Sequence, residues 1–223
     1  MHFTDTYRHK GLRRKLLESL RDKGITNERI LAAMDVMPRH FFLEKAFEEW
    51  AYQDKAFPIG CEQTISQPYT VAYQTELLNV QKKDNILEIG TGSGYQAAIL
   101  ACMGARVYSV ERQETLYMTA KRLLQDLGLD KWITLFFQDG YAGLPEMAPF
   151  DKILVTAAAP DIPEILKNQL VIGGIMVVPV NHPLNPKSQQ MLKLTRQSET
   201  TFSQMILDDF RFVPFLKGVI KHK

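Results

Sequence analysis

Gly90, Gly92 and Gly94 follow the apolar run Ile86-Leu87-Glu88-Ile89, and Glu111 closes a second apolar run, Val107 to Val110. Alternating glycines let a backbone turn sharply and approach a ligand with no Cβ in the way. A carboxylate about 20 residues further on, at the end of the next strand, accepts hydrogen bonds from both hydroxyls of a ribose. Together these residues spell recognition of an adenosine-containing cofactor. A dinucleotide site spaces its small residues G-x-G-x-x-G/A, and Tyr95 stands at the last of those positions here. No phosphate-loop lysine follows the glycines, which argues against a Walker-type site.

The acidic Glu88 set just before a G-x-G-x-G turn resembles the loop with which Rossmann-like methyltransferases hold S-adenosylmethionine, a cofactor whose amino and sulfonium groups are cationic. Asp139-Gly140 ends a third apolar run, at the carboxyl edge where open α/β sheets bind ligands. Asp139 at that place either accepts from an adenine amino group or caps a turn. Ser66, in the polar stretch Gln63-Thr64-Ile65-Ser66-Gln67, has three readings: a donor to substrate, the N-cap of a helix opening at Pro68, or loop polarity. A triad serine is not among them, because there is no G-x-S-x-G elbow and the histidines are scattered. The Asn/Asp-Pro-Pro-Tyr/Phe motif of nitrogen methylation is replaced by Thr156-Ala157-Ala158-Ala159-Pro160. Cys61 and Cys102 are too few for a disulfide framework or a zinc site, so no metal is expected.

The elements that must position these residues are legible in the pattern. Leu12, Leu16, Leu17 and Leu20 recur at helical spacing, as do Ile30, Leu31 and Met34. The chain from Asp54 to Pro68 reads as a loop, and Pro68 suits the first turn of a helix through Leu78. Strands are predicted at 85–89, 106–110, 133–137, 152–155 and 175–180, with helices between them, including one from Pro163 to Leu170 stopped by Gly173 and Gly174. Stretches 191–196, 201–207 and 211–215 read as consecutive antiparallel strands. The fold class is therefore α/β: a doubly wound Rossmann-like sheet with N-terminal helices and antiparallel C-terminal strands. One domain over 1–223 is expected, with helices and a substrate loop in 1–80, a cofactor core in 81–181 and the final strands in 182–223. At 45% hydrophobic and 23% charged residues with a net charge of +2, the composition is that of an ordinary globular protein and favours neither a nucleic-acid nor a membrane partner. Residues 1–15 carry no apolar targeting run, and a cytosolic, reducing location is the expectation.

Read in order, Pro58-Ile59-Gly60, Gln63-Thr64-Ile65-Ser66-Gln67-Pro68-Tyr69, Leu87 to Ala98, Asp139-Gly140, Ala148-Pro149-Phe150-Asp151 and Arg211-Phe212-Val213-Pro214 resemble the protein-L-isoaspartate O-methyltransferase family. The Gln-Thr-Ile-Ser-Gln-Pro loop is the most specific part, since generic methyltransferases lack it. The resemblance implies methyl transfer from S-adenosylmethionine to the free α-carboxyl of L-isoaspartyl residues in damaged proteins. It implies an active-site role for Ser66, with Thr64 and Ile65 beside substrate and cofactor. It places cofactor contacts at Gly90, Gly92, Glu111, Asp139 and Gly140, with Glu88 beside them, and a peptide-contacting strand at Val213. Glu62 departs from the family's glycine before the Gln-Thr pair, and Tyr69 and Val71 replace histidines of another branch. A small-molecule or RNA methyltransferase would share the cofactor half and differ in the 58–68 loop.

Overall fold

A computed structural model describes residues 3–221. The Thr6 hydroxyl accepts the His9 N–H at 3.2 Å and starts α1 (Tyr7–Asp22), satisfying one of the N–H groups that every helix start leaves open. Leu16, Leu17 and Leu20 are buried on α1, and α2 (Glu28–Val36), capped by Asn27, buries Ile30, Leu31 and Met34. Both helices thus turn inward the stripe that the sequence predicts.

The 54–67 stretch, expected to be a loop, contains a hairpin. β1 (Phe57–Gly60) pairs antiparallel with β2 (Gln63–Ile65), and Cys61 and Glu62 take φ values of 51° and 57°. Two successive residues at positive φ have the sign pattern of a type I′ turn, whose twist suits a two-residue hairpin loop. The sequence hides it: Cys-Glu lacks the Asn-Gly or Asp-Gly signature, and Pro58 interrupts the strand signal. α3 (Pro68–Leu78) follows directly, with Pro68 in its first turn.

The remaining elements are β3 (Asn85–Ile89), α4 (Tyr95–Cys102), β4 (Arg106–Glu111), α5 (Glu114–Asp126), β5 (Ile133–Phe137), β6 (Phe150–Val155), α6 (Glu164–Lys167), β7 (Leu170–His182), β8 (Asn185–Arg196) and β9 (Phe202–Phe210). They build a sheet of order β5-β4-β3-β6-β7-β8-β9. β3 to β7 pair in parallel, while β8 and β9 close the sheet antiparallel. Strand alternation splits the core in two. Ile86, Leu154 and Val177 join the cluster of α1 to α4, and Leu87, Ile153 and Met176 join a second cluster with Leu166 and Phe150. This is the expected Rossmann-like α/β sheet. Chain order reverses at β3, which has β4 on one side and β6 on the other, and that reversal opens a crevice at the strands' carboxyl ends.

Two further expectations change. The helix predicted from Pro163 to Leu170 is a single turn, because β7 begins at Leu170 and runs through Gly173 and Gly174. The segment 211–215 is not a strand of the sheet. It leaves β9 and touches the chain after β6 through an isolated parallel bridge, Ala158 with Pro214. No helix among the described residues is long and apolar enough to cross a membrane.

Candidate active site

At the end of β3 the Gly90 N–H donates to Val110 O at 2.9 Å, and the chain then passes Gly90, Gly92 and Gly94 at φ of 99°, 53° and 86°. These are left-handed values that a side chain would strain. A Cβ on Gly90 would also collide with the Thr156 hydroxyl. That hydroxyl donates to Ile89 O at 2.9 Å and Gly90 O at 2.8 Å, tying the turn to the end of β6. The turn is held from both neighbouring strands.

Glu111, at the end of β4, is buried, and one of its oxygens accepts the Gly92 N–H at 2.8 Å while the other accepts the Gln113 N–H at 2.9 Å. Burial raises its pKa, and these backbone donors oppose the rise. The carboxylate is therefore fixed in place, with lone pairs left for hydroxyl donors.

Over the turn lies the β1–β2 hairpin. A Cβ on Gly92 would stand 3.4 Å from Ile59 Cδ1, and Gln113 Nε2 donates to Cys61 O at 3.4 Å. On the opposite side Val213 O accepts the Ala158 N–H at 2.7 Å, and the Phe215 N–H donates to Ala158 O at 2.8 Å. Between these walls is a cleft of about 840 Å³, open mouth included, that brings together Thr64, Ile65, Ser66, Gly90, Gly92, Glu111, Gly140 and Val213.

Glu88 and Asp139, named with them from the sequence, do not line that cleft. Glu88 is fully buried, accepts from Ser109 Oγ at 2.5 Å, and its Oε1 has no partner among the described residues. Asp139 caps the turn at Gly140–Ala142 by accepting the Tyr141 N–H at 2.9 Å, and its other oxygen accepts the Gly218 N–H at 2.7 Å. That carboxylate anchors the C-terminal segment, whose Phe215 and Leu216 line the cleft. Ser66 is not the N-cap of α3: the cap residue is Gln67, and the Asp54 carboxylate takes the Tyr69 N–H.

The family model of protein-L-isoaspartate (D-aspartate) O-methyltransferase matches residues 11–219. The chain belongs to this family. Among its relatives, a protein-L-isoaspartate O-methyltransferase of Flavobacterium psychrophilum is 55% identical over 96% of this chain and 98% of its own length. One from Christiangramia forsetii is 50% identical over the same shares. A solved protein-L-isoaspartate O-methyltransferase superposes with a TM-score of 0.81 at 31% identity, covering 91% of this chain and 65% of that one. A Plasmodium falciparum crystal structure in complex with S-adenosyl-L-homocysteine has a TM-score of 0.80 at 25% identity, over 94% and 99% of the two chains.

The cleft of this isoaspartate methyltransferase fits an S-adenosyl cofactor on its own geometry. The positive-φ glycines leave a cradle that side chains would fill, Glu111 offers fixed acceptors, and Val71, Ile89 and Phe215 give apolar wall. On that wall the buried Gln96 Oε1 has no partner among the described residues. Sequence reasoning passed over several of these residues. Thr156 carried a usable signal, since it ends the strand beside β3 at the sheet's carboxyl edge. Gln113 carried the same signal, standing two residues past Glu111 at the end of the other strand beside β3, whereas Leu216 carried none, because it reaches the cleft only through the folded tail. The methyltransferase's other titratable cluster, Asp5, His9 and His40, has ligand atoms within 4.8 Å of one another. Arg13 occupies both oxygens of Asp5, and Tyr52 and Thr4 meet the two nitrogens of His40, so its hydrogen bonds serve packing.

Proposed function

We propose that this protein is a repair methyltransferase that transfers a methyl group from S-adenosylmethionine to the free α-carboxyl of L-isoaspartyl residues in damaged proteins and peptides. The observation that carries the reading is the union, in one cleft, of a glycine turn and fixed carboxylate with the Ser66 loop and the 211–215 segment. In this reading Gly90, Gly92, Gly140 and Glu111 hold the cofactor. Thr64 and Ile65 lie between cofactor and substrate, Ser66 orients the acceptor carboxylate, and Val213 offers main chain to the substrate peptide. Glu88 and Asp139 support the site from behind, through Ser109 and through Gly218. The whole chain acts as one unit, a reading supported by a core cluster shared between Leu16 of α1 and Met191 of β8.

The bound cofactor supplies an electrophilic methyl on a sulfonium. An isoaspartyl carboxylate, with a pKa near 4, is already ionised at neutral pH, so no side chain need act as general base. What the residues contribute is alignment, worth roughly 7 to 11 kcal/mol when reacting atoms are held in a near-attack arrangement. Opposite charges meet and cancel along the path, and a cleft that sheds water favours their meeting. The main-chain nitrogen that follows then attacks the ester carbonyl and expels methanol, closing a succinimide unaided, and hydrolysis of that ring returns some normal aspartate.

Paired peptides that differ only in isoaspartate against aspartate, incubated with methyl-labelled cofactor, test the reading. Label is expected on the isoaspartyl peptide and not on its partner. Equal labelling, or label on neither peptide beside methylation of RNA, would overturn it.

A further inference from the structure

Close in the chain to Ser66 and Val213, though outside the lining of the cleft, four aromatic rings meet from α3, the end of β9 and the segment after it. Tyr69 and Tyr73, on the first turns of α3, have ring centres 5.7 Å apart, and Phe210, at the end of β9, lies 6.4 Å from Tyr69 and 5.2 Å from Tyr73. Phe212 continues the row at 6.2 Å from Phe210. All four are partly exposed, although each packs one side against the core. The row is stiff. The Tyr73 hydroxyl donates to Asp208 Oδ2 at 2.9 Å, and the Phe212 N–H donates to Gln189 Oε1 at 2.8 Å.

We propose that these rings form a subsite for an aromatic or large aliphatic side chain of the substrate, one or two residues from the isoaspartyl position. The proposal rests on the reading that Ser66 and Val213 mark the acceptor end of the cleft. Phe212 directly precedes Val213, and Tyr69 follows Ser66 by one short step onto α3, so the elements that hold the acceptor also carry the rings. A peptide laid along 211–213 advances about 3.3 Å per residue, and a neighbouring side chain reaches roughly 3 to 7 Å from the reacting residue. Neighbouring ring centres in the row, 5.2 to 6.4 Å apart, are spaced within that same range. Preordered rings take a partner ring edge-on or offset with little loss of freedom. Phe215, on the other side of Val213, belongs to the wall of the cofactor cleft, so one flank of the peptide reaches the rings and the other does not.

The test is an isoaspartyl peptide series with Ala, Leu, Phe or Asp at each of the two positions before and after the isoaspartyl residue. It is run with the intact protein, Tyr69→Ala and Phe210→Ala, and melting curves establish that each variant folds. On one flank only, Phe should exceed Ala by about two- to twelvefold in kcat/KM, the range of an aromatic pair, chiefly through KM. Both substitutions should bring that ratio close to one. Tyr69→Ala decides alone if Phe210→Ala does not fold. Isoaspartyl peptides methylated with no preference on either flank, or a preference that survives both substitutions, would overturn the subsite and leave the repair function standing. Methylation of none of the isoaspartyl peptides would overturn the function, and the subsite with it.

Discussion

The Asp54 carboxylate accepts the Tyr69 N–H at 2.7 Å, so the start of α3 is capped from 15 residues upstream. The other oxygen of Asp54 meets Lys23 Nζ at 2.6 Å and ties the end of α1 to the same point. Ser66 is thereby released from capping, and its hydroxyl makes no hydrogen bond among the described residues. Ser66→Ala should leave the melting temperature near that of the parent and lower turnover by about ten- to a hundredfold, the cost of a hydrogen bond to a charged acceptor. Asp54→Ala should behave in the opposite way, losing about 0.5 to 2 kcal/mol of stability. Thermal melts beside initial rates separate the two, and a Ser66→Ala protein that is less stable but fully active would end its proposed role.

Glu111 offers a second test, because its oxygens are each held by a different backbone N–H, Gly92 and Gln113. Glu111→Gln keeps the shape and leaves one of those donors facing an NH2 group. Cofactor affinity should fall by about 1.5 to 3 kcal/mol, read by calorimetry on the folded variant. An unchanged affinity would remove Glu111 from the ribose.

These residues differ in how openly the sequence announced them. Gly90 and Gly92 were legible because a left-handed backbone restricts residue type, and Glu111 because its strand ends where the next apolar run stops. The hairpin was not, since Cys61 and Glu62 adopt positive φ without any of the residues that favour it. Thr156 acts on Ile89 and Gly90 across 67 and 66 residues, a relation set by strand order alone. Segment 211–215 has strand-like composition, yet only one bridge forms, because its bonds go to Ala158 and to the Gln189 side chain. Glu88 was visible as an acid in an apolar strand, but its depth was not.

That depth has a pH consequence. Burial lifts the Glu88 carboxyl from its ordinary 4.5 to about 8, Ser109 opposing the rise and Glu111 adding to it. Below about pH 4.5 the group is protonated whether the chain is folded or not. Between that value and about 8 the folded state holds a proton that the unfolded state has released, so stability falls as pH rises through this window. Glu88→Gln mimics the neutral acid and should flatten that fall, with a gain on the order of a few kcal/mol at the alkaline end. Melting temperatures of both proteins from pH 5 to pH 9 check it, and parallel curves would show that Glu88 does not titrate there.

The buried Gln189 side chain reaches past the end of β9, where Gln189 is paired with Phe210, and accepts the Phe212 N–H at 2.8 Å. The other two bonds holding this segment come from the Ala158 backbone, so Gln189 is the side chain through which its position can be tested. Gln189 does not line the cleft. Gln189→Ala frees Phe212 and lets the main chain at Val213 drift from the acceptor, which costs binding of the peptide and not of the cofactor. Peptide KM should rise by about two- to twelvefold, the worth of one ordinary hydrogen bond, with kcat at saturating peptide and cofactor affinity near those of the parent. Gln189→Glu keeps an acceptor oxygen at the same reach and should restore most of the loss. A rise in peptide KM matched by equal loss of cofactor affinity would mean that Gln189 only supports the fold, whereas a selective, rescued rise would tie the 211–215 main chain to substrate.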